Sequence, residues 1–544
     1  MKKRLFFIIA VLLPLLALTR PYLRAGVPYT HDGENHLARF ANYKVAVREG
    51  QVPPRFAPNL MNHYGYPVFN YNYPLLNMLS LPLSIIGIHY ELTFKFLMIG
   101  GLVLGAWGIT RWLAVSGFSR RAKLFAVGTY MLAPFTVNLI FVRGNIGEVW
   151  ALALFPWLLW FSKMIKQRTR VSWLVSVSLI TAFLLSHNVS VLFGGVLWFL
   201  YTLKEFGKQK ALWKVWLGPV VISVLLSLWF WLPAVAEKGF IVVDDANLSS
   251  QFATHFVQPL QLLASPLRFG YSFETAVDTI SFSVGAIGFA SLVLMTVWLL
   301  RLRKTDRRHL DRYRLWFFVI VCWGLLFLQT DFSYQVWRFL PLVAFIQFPW
   351  RLTLFFVVLV LPLVATLFTH LKKVRWLLWA LFFGQLMVLW RLQPIAFLHQ
   401  TPEQYDLFPQ STSTLNENLP KGFTYLLIGD WQPAPSALVG EFTANVADWT
   451  GSRRYYHLNV TQDALVVEPT MYFPGWETTI NGELIEYVDV SEAEGRLGYR
   501  LPAGEYEVET RFTQNTWPRM VGNSLSVLAV AIWGWLVWRE KQVS

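Results

Sequence analysis

The stretch HDGENHLAR, residues 31–39, places two histidines, two carboxylates and an arginine directly after the first apolar segment of a mostly apolar chain. The pattern after it predicts a helix over residues 33–48 that is closed by Gly50. On such a helix four side chains fall on one stripe, at i, i+4, i+7 and i+11: Asp32, His36, Arg39 and Tyr43. The stretch is either an amphipathic interfacial helix with Asp32 as its N-cap and its polar side chains in water, or a functional site.

Composition indicates a polytopic membrane protein. Of the 544 residues, 55% are hydrophobic, only 15% are charged and 26 are tryptophan. The net charge of +15 is typical of some nucleic-acid-binding proteins. However, the lysines and arginines sit in short clusters between apolar runs, as in cytoplasmic loops, so no nucleic acid is expected as a partner. The single cysteine, Cys322, excludes an intramolecular disulfide and a thiolate metal cluster.

Apolar runs of about 20 residues predict membrane spans. The basic start Met1–Arg4 followed by residues 5–20 reads as a retained first span that enters from the cytoplasm, because residues 17–21 make a poor signal-peptide cleavage site. Twelve spans are predicted, over residues 5–20, 91–112, 123–142, 147–164, 171–186, 188–203, 213–232, 280–300, 315–330, 351–370, 374–392 and 519–538.

Residues 73–87 are apolar but short, and they contain Pro74 and Pro82. Counting them as a span would move the basic clusters, including the dense one over residues 301–314, to the outside and would violate the positive-inside rule. We therefore expect an interfacial or re-entrant piece, or a hairpin that returns to the same side. Both termini are then cytoplasmic, in a multi-pass protein of the plasma membrane.

This topology predicts three regions: a transmembrane bundle over residues 1–392 with a large first outer loop at 21–90, an outer β-rich domain over 393–518, and a last span with a cytoplasmic tail over 519–544. Short alternating runs predict strands at 464–467, 477–480 and 505–510. Asn481-Gly482 predicts a hairpin turn, and residues 502–504 predict another turn. We expect a small β-sandwich outside the cell.

Several ionisable residues fall on the outer side, where burial in the membrane edge is costly. Glu148 follows Arg143 by five residues, which fits either a helix-end ion pair or a functional pair. Arg351 either extends to the headgroups or binds phosphate, since a guanidinium forms paired hydrogen bonds with phosphate oxygens. The pair His187-Asn188 is either a polar turn or part of a site. Carboxylates and imidazoles in the first loop also allow a divalent ion such as Mg or Mn, although no sharp metal motif is present; its ligands would be Asp32, Glu34 and His36.

A set of motifs spans nearly the whole chain: residues 32–39, 50–56 (GQVPPRF), 65–67 (GYP), 143–145 (RGN) with Glu148, 186–188 (SHN), 346–351 (IQFPWR) and 472–476 (YFPGW). With these motifs the chain resembles the prokaryotic 6-pyruvoyl-tetrahydropterin synthase-related multi-pass membrane proteins. It is more distantly similar to YfhO-like proteins and to glycosyltransferases of the GT-C fold.

The GT-C likeness implies a mainly α-helical transferase that moves a sugar from a polyprenyl-phosphate donor to a glycan, lipid or protein acceptor outside the membrane, in cell-envelope glycan assembly. It implies Asp32 as a general base in the first outer loop, with His36 orienting it and Glu148 completing the catalytic set. Arg143 and Arg351 are the expected ligands of the donor phosphate. The supporting residues are His31, Glu34, Arg39, Asn145, His187, Asn188 and Gln347.

Two other classes stay open. A transporter or flippase for lipid-linked sugars predicts ionisable residues near the middle of the spans rather than at one face. A non-catalytic envelope assembly protein would bind its partner through the outer domain.

Overall fold

A bundle of helices and an antiparallel sheet make up the protein in a computed structural model that describes residues 2–169, 171–244, 251–273, 278–302, 311–339, 346–413, 415–423, 429 and 431–543. The first helices are α1 (Lys2–Phe7), α2 (Leu13–Thr19), α3 (Gly33–Arg48), α4 (Val68–Tyr71), α5 (Leu75–Ile85), α6 (Tyr90–Val115), α7 (Arg120–Leu132), α8 (Pro134–Asn138), α9 (Ile146–Lys166), α10 (Trp173–Leu184) and α11 (Asn188–Phe206). They are followed by α12 (Lys210–Ala236), α13 (Pro259–Leu263), α14 (Ala286–Arg301), α15 (Arg312–Phe327), α16 (Tyr334–Phe339), α17 (Thr353–Leu359), α18 (Leu361–His370), α19 (Lys372–Arg391), α20 (Pro402–Asp406) and α21 (Trp517–Val543).

The helices make this a multi-pass membrane protein, as predicted. Within the described ranges, eight segments are long and apolar enough to span: Arg4–Leu23, Tyr90–Val115, Ile146–Lys166, Asn188–Phe206, Lys210–Ala236, Pro349–His370, Lys372–Arg391 and Trp517–Gln542. Two bent helix pairs raise the number to ten if each is one span. The predicted spans 171–186 and 280–300 correspond to the shorter apolar helices α10 and α14. The number twelve therefore stays a prediction.

The predicted spans 123–142 and 315–330 are parts of these bent pairs rather than straight helices. The first bends by 48° between α7 and the segment Pro134–Arg143, and the second by 97° between α15 and Asp331–Phe339. Pro134 has no N–H for the hydrogen bond that would continue α7, which explains the first break. The basic residues within 303–310 and the middle of the 329–351 loop lie outside the described part of the chain.

Residues 73–87 contain α5, a helix of 11 residues. At 1.5 Å per residue it is roughly 17 Å long, too short to cross a hydrocarbon core of about 30 Å. The prediction that this piece does not span the membrane agrees with that length.

Two spans lie at the centre of the bundle. Pro349–His370 and Ile146–Lys166 (α9) are the most enclosed spans. In their apolar stretches, 94% and 83% of the residues are buried. α9 packs closely on α6, because α6 carries small residues where the helices meet. A Cβ on Gly108 of α6 would lie 2.6 Å from the indole nitrogen of Trp157. The N-terminal ends of these two central spans frame the site described below.

The C-terminal domain is built on β3 (Ser436–Trp449), β4 (Arg453–Met471), β5 (Trp476–Ile480), β6 (Glu483–Leu484), β7 (Arg496–Leu501) and β8 (Gly504–Phe512). The predicted strands are confirmed, and Asn481-Gly482 closes the β5–β6 hairpin with both residues at positive φ. These strands form one connected antiparallel sheet in the order β3-β4-β8-β5-β6, with β7 also on β4. Tyr456 in the first half of β4 donates to Glu468 in its second half at 2.8 Å, so the sheet folds over on itself, and the predicted β-sandwich stays a prediction.

β4 is long enough to pair with two strands along one edge. Its 19 residues pair with β8 over Arg453–Val460 and with β7 over Ala464–Met471, so β7 and β8 follow one another along the same edge of β4. Residues 502–503 therefore interrupt an edge without reversing the chain, and the turn predicted there is wrong. The alternating pattern of a short strand does not reveal that β7 and β8 both pair with the same long strand, β4.

The loop over residues 21–90 is attached to the segment that precedes the sheet. Val27 and Pro28 (β1) pair with Leu398 and Phe397 (β2). Glu91, at the start of α6, accepts hydrogen bonds from the backbone N–H of Gln400 and from the Tyr405 hydroxyl. These contacts hold α3 and the residues before it in a fixed place above the bundle.

Candidate active site

Backbone hydrogen bonds join the start of α3 to the turn before α9. The N–H groups of His31 and Asp32 donate to the carbonyls of Val142 and Arg143, at 3.0 and 2.8 Å. A five-residue π-helix, Leu139–Arg143, ends here in Gly144, which has a φ of +64°. A Cβ on Gly144 would lie 2.0 Å from the Thr30 hydroxyl oxygen. Glycine is therefore required for the two segments to approach this closely.

The carboxylate of Asp32 does not cap α3. The predicted helix is confirmed as Gly33–Arg48 with Asp32 at the N-cap position, but its side chain makes no capping hydrogen bond. The Thr30 hydroxyl accepts from the Gly33 N–H instead, at 3.2 Å. The Asp32 side chain is 26% exposed and turns toward the α9 terminus. The interpretation of Asp32 as a helix cap is therefore wrong.

Asn145 connects Asp32 to α9. Its side-chain oxygen accepts the Glu148 N–H at 2.9 Å, which caps α9, and its amide nitrogen donates to Asp32 Oδ2 at 3.0 Å. The Tyr73 hydroxyl donates to the same Asn145 oxygen at 3.2 Å. One amide thus fixes both the helix terminus and the orientation of the carboxylate.

Arg143 and Glu148 form a buried ion pair. Arg143 Nε and Nη2 donate to the two oxygens of Glu148 at 3.0 and 2.8 Å, while Arg143 Nη2 lies 3.9 Å from Asp32 Oδ2. The Arg143 guanidinium also stacks 4.8 Å from the centre of the Trp350 ring. The paired geometry agrees with the ion-pair interpretation of these two residues.

Arg351 enters the same cluster from the second central span. Its Nε lies 3.2 Å from Glu148 Oε1 without the alignment of a hydrogen bond, and its guanidinium lies 4.9 Å from the Phe348 ring. The side chain is 16% exposed. Its terminal nitrogens donate no hydrogen bond within the described ranges, so this guanidinium retains donors for a ligand.

Two histidines near the cluster have pKa values below the usual value of histidine. Burial, and then the nearby arginine Arg39, lower the pKa of His36 to about 3. Burial and the positive charges of Arg351 and Arg143 hold the pKa of His187 well below its usual value. The His187 Nε2 atom is 3.9 Å from Glu148 Oε1.

His36 does not contact Asp32 directly, and its predicted role in orienting Asp32 stays a prediction. Its Nε2 lies 3.4 Å from the Tyr73 hydroxyl, which reaches Asp32 through Asn145. The reason is local: α3 starts after Asp32, and the Asp32 side chain points away from the helix toward Asn145. The sequence analysis did not identify Tyr73 as a site residue. Its position in the first loop, directly before Pro74 and α5, was the feature that could have indicated it.

His31 is covered by the loop between α13 and α14. Its ring stacks on Tyr271 at 4.5 Å and 10°, and the edge of Phe269 is 5.2 Å away. Burial, followed by the charge of Arg143, lowers the pKa of His31 to about 4. Two buried nitrogens around the cluster, His31 Nε2 and Trp350 Nε1, have no hydrogen-bond partner among the described residues.

The remaining predicted residues lie outside the cluster. Glu34 accepts from the Gln400 amide at 2.9 Å, and Arg39 donates to the hydroxyl and carbonyl of Thr412. The Asn188 amide donates to the Tyr71 carbonyl at 2.8 Å. Gln347 is half-buried on the segment before Phe348.

The predicted metal ligands do not converge. Glu34 is directed to Gln400 and His36 to Tyr73, so neither joins Asp32. Within the described residues, no three His, Cys, Asp or Glu side chains are grouped as metal ligands require. The donor set therefore does not fit a divalent ion, and no step below depends on one.

Two of the sequence motifs, GQVPPRF and YFPGW, connect structural elements away from the candidate site. Arg55, from GQVPPRF, donates to the Trp229 carbonyl at 2.5 Å. Arg519 on α21 pairs with Glu237 at the end of α12 at 3.0 Å, and donates to the carbonyl of Pro474 in YFPGW at 2.7 Å. These buried arginines connect the first loop, α12, the sheet and the last span.

Comparison with known proteins gives two remote likenesses. An uncharacterized protein of Lactococcus lactis subsp. cremoris (strain MG1363) is 23% identical over 320 residues, which cover 56% of this chain and 51% of that protein. The chain thus spans about half the length of this curated relative. The mycobacterial arabinofuranosyltransferase AftD superposes with a TM-score of 0.43 at 16% identity, over 71% of this chain and 26% of AftD. At these identities neither protein transfers an activity to this chain.

A family of membrane proteins described as the 6-pyruvoyl-tetrahydropterin synthase related domain has a sequence model that matches residues 69–393. The match covers more than half of the chain. It includes the Arg143–Glu148 turn, His187 and Arg351, and it begins after Asp32. The chain therefore belongs to the 6-pyruvoyl-tetrahydropterin synthase related family of membrane proteins, as the motifs predicted.

Proposed function

We propose that this protein is a GT-C-type membrane glycosyltransferase that moves a sugar from a polyprenyl-phosphate donor to an acceptor outside the plasma membrane. The observation that carries the proposal is one cluster at the N-terminal ends of the two central spans. It combines a partly exposed carboxylate, Asp32, with a guanidinium that keeps free donors, Arg351, and Glu148 lies between the two arginines. The products would serve cell-envelope glycan assembly.

Asp32 has the properties of a general base. It accepts one hydrogen bond from Asn145 and keeps part of its surface open to a ligand. A carboxylate so placed takes the proton of the acceptor hydroxyl as that oxygen attacks the anomeric carbon. General-base catalysis contributes on the order of 10² to 10⁴ in rate.

Arg351 is the proposed ligand of the leaving phosphate. As the bond between the anomeric carbon and the phosphate oxygen breaks, negative charge grows on the polyprenyl phosphate, and fixed donors stabilise it. Arg143 is committed to Glu148 by two hydrogen bonds, so its role is to set the local charge and to hold Glu148 near Arg351. This assigns the two arginines different tasks.

A transporter or flippase is the second candidate function. It would place ionisable side chains along a path near the middle of the spans. Here Glu148, His187 and Arg351 lie in the first turn of a helix or directly before it, at one end of the bundle. This clustering favours catalysis at one membrane face over passage through the bundle. The third candidate function, a non-catalytic assembly protein, would not need a cluster of paired charges at this position.

The test is the substitution Asp32→Asn, which keeps the shape of the side chain and its bond to Asn145 but removes the base. Purified protein is incubated with a panel of polyprenyl-phosphate sugars and acceptors, with and without EDTA, and sugar transfer is measured. We expect a fall of about 10² to 10⁴ in rate for Asp32→Asn. The matched control is Glu403→Gln, an exposed carboxylate on α20, which should transfer at the wild-type rate. Equal transfer by Asp32→Asn and wild type would remove the enzyme assignment.

A further inference from the structure

A second charged cluster lies at the opposite end of the bundle from Asp32. From Glu148 to Lys163, α9 extends roughly 22 Å at 1.5 Å per residue, so its C-terminal end is remote from the first cluster. There the Glu205 side chain, at the end of α11, is only 3% exposed. Lys163 and Lys204 each donate to one of its oxygens at 2.9 Å.

Arg314, in the first turn of α15, adds a third cation to this cluster. Its Nη1 donates to the carbonyl of Ser116 in the α6–α7 turn at 3.2 Å, and its guanidinium lies 5.7 Å from the Phe118 ring. Its Nη2 and the Ser116 hydroxyl are both buried and have no hydrogen-bond partner within the described residues. Two unsatisfied donors thus occur together at this turn.

Among the described residues, the positive charges of the cluster outnumber the negative ones. Lys163, Lys204 and Arg314 face one buried carboxylate, Glu205. Asp311 is exposed at the start of α15, where it accepts the Arg314 N–H at 3.0 Å. An excess of positive charge on partly buried side chains is costly, so an anion that accepts hydrogen bonds would stabilise this arrangement. A phosphate group matches it, because its oxygens accept from guanidinium, ammonium and hydroxyl donors together.

The surroundings indicate that this phosphate belongs to a lipid. Leu203 on α11 and Ile320 on α15 are exposed apolar residues of these two spans, at 46% and 64%. Exposed apolar side chains on membrane spans are where acyl chains pack. Basic residues between spans at the membrane surface bind acidic headgroups.

We propose that the groove between the α6–α7 turn and the adjoining ends of α9, α11 and α15 binds the phosphate of an anionic phospholipid, with Arg314 and the Ser116 hydroxyl as the central donors. Lys163 and Lys204 supply the remaining positive charge. The site is independent of the Asp32 cluster and needs no glycosyl transfer.

The test measures lipid binding by the full-length protein in detergent, by native mass spectrometry, with phosphatidylglycerol, phosphatidylcholine and inorganic phosphate as separate probes. Wild type should bind phosphatidylglycerol more tightly than phosphatidylcholine. Arg314→Gln should weaken phosphatidylglycerol binding about fivefold or more, since a basic residue near the membrane surface contributes about 1 kcal/mol. The matched control is Arg121→Gln, which removes an exposed charge just after the same turn and should bind like wild type.

Three results would overturn the proposal: equal loss in Arg314→Gln and Arg121→Gln, no preference of wild type for phosphatidylglycerol, or inorganic phosphate binding as tightly as the lipid. Lys204→Gln is measured in parallel, because it leaves Glu205 paired with Lys163. If Arg314→Gln is not monodisperse on size exclusion, Lys204→Gln decides, and unchanged lipid binding in that variant refutes the site.

Discussion

Glu148 is the residue on which the charge balance of the Asp32 cluster depends. It is 1% exposed and lies within 3.2 Å of both Arg143 and Arg351. Glu148→Gln leaves the buried Arg143 and the partly buried Arg351 with Asp32 as the nearest counter-charge, and breaking a buried pair costs about 3–5 kcal/mol. We expect a clearly lower thermal-unfolding midpoint for the purified variant. Glu492→Gln, which breaks the exposed pair with Arg500, should change stability by no more than about 1 kcal/mol. Equal midpoints for Glu148→Gln and wild type would contradict this account.

At the same scale, the sequence predicted several of the residues that meet in the cluster but not how they contact each other. The scarcity of charge in the apolar runs was enough to select Asp32, Arg143, Glu148 and Arg351, because an ionisable group at a membrane boundary needs a partner or a function. The choice of partner depends on side-chain direction, which residue spacing does not contain. For this reason Thr30 took the expected capping role of Asp32, and Tyr73 stands between His36 and the carboxylate.

At the scale of elements, the Gly144 turn controls how α3 meets α9. Gly144→Ala combines a strained positive φ with a Cβ placed 2.0 Å from the Thr30 hydroxyl oxygen. Gly117→Ala is the matched control, since Gly117 also has positive φ, +85°, but a Cβ there meets nothing within 4 Å. Both variants bear the backbone strain of about 1–3 kcal/mol. Only Gly144→Ala should also displace Asp32, so we expect it alone to lose sugar transfer. If the two variants retain equal transfer, the turn does not position Asp32.

Element boundaries followed from the sequence where a local signal marks them, as for α3 and the β5–β6 hairpin. The sequence did not predict the boundaries and pairings that depend on tertiary packing. The bends after α7 and α15 break apolar runs that read as continuous, and β7 and β8 lie beside a strand far longer than its alternating segments suggest. The spacing of apolar residues indicates which face of a helix or strand is buried. It does not indicate where a buried helix bends or which strands pair with each other.

For the whole molecule, the two charged clusters mark opposite ends of the bundle, and the positive-inside rule predicts that the Asp32 end faces the exterior. Single cysteines test this: Asp32→Cys and Arg121→Cys, at the two ends, are treated in intact cells with a membrane-impermeant thiol reagent. Native Cys322 is fully buried and should not react. We expect Asp32→Cys to be labelled in intact cells and Arg121→Cys only after permeabilisation. The reverse pattern would place the Asp32 cluster in the cytoplasm, where an acceptor outside the membrane is out of reach, and would refute the proposed transfer reaction even if Asp32→Asn were inactive.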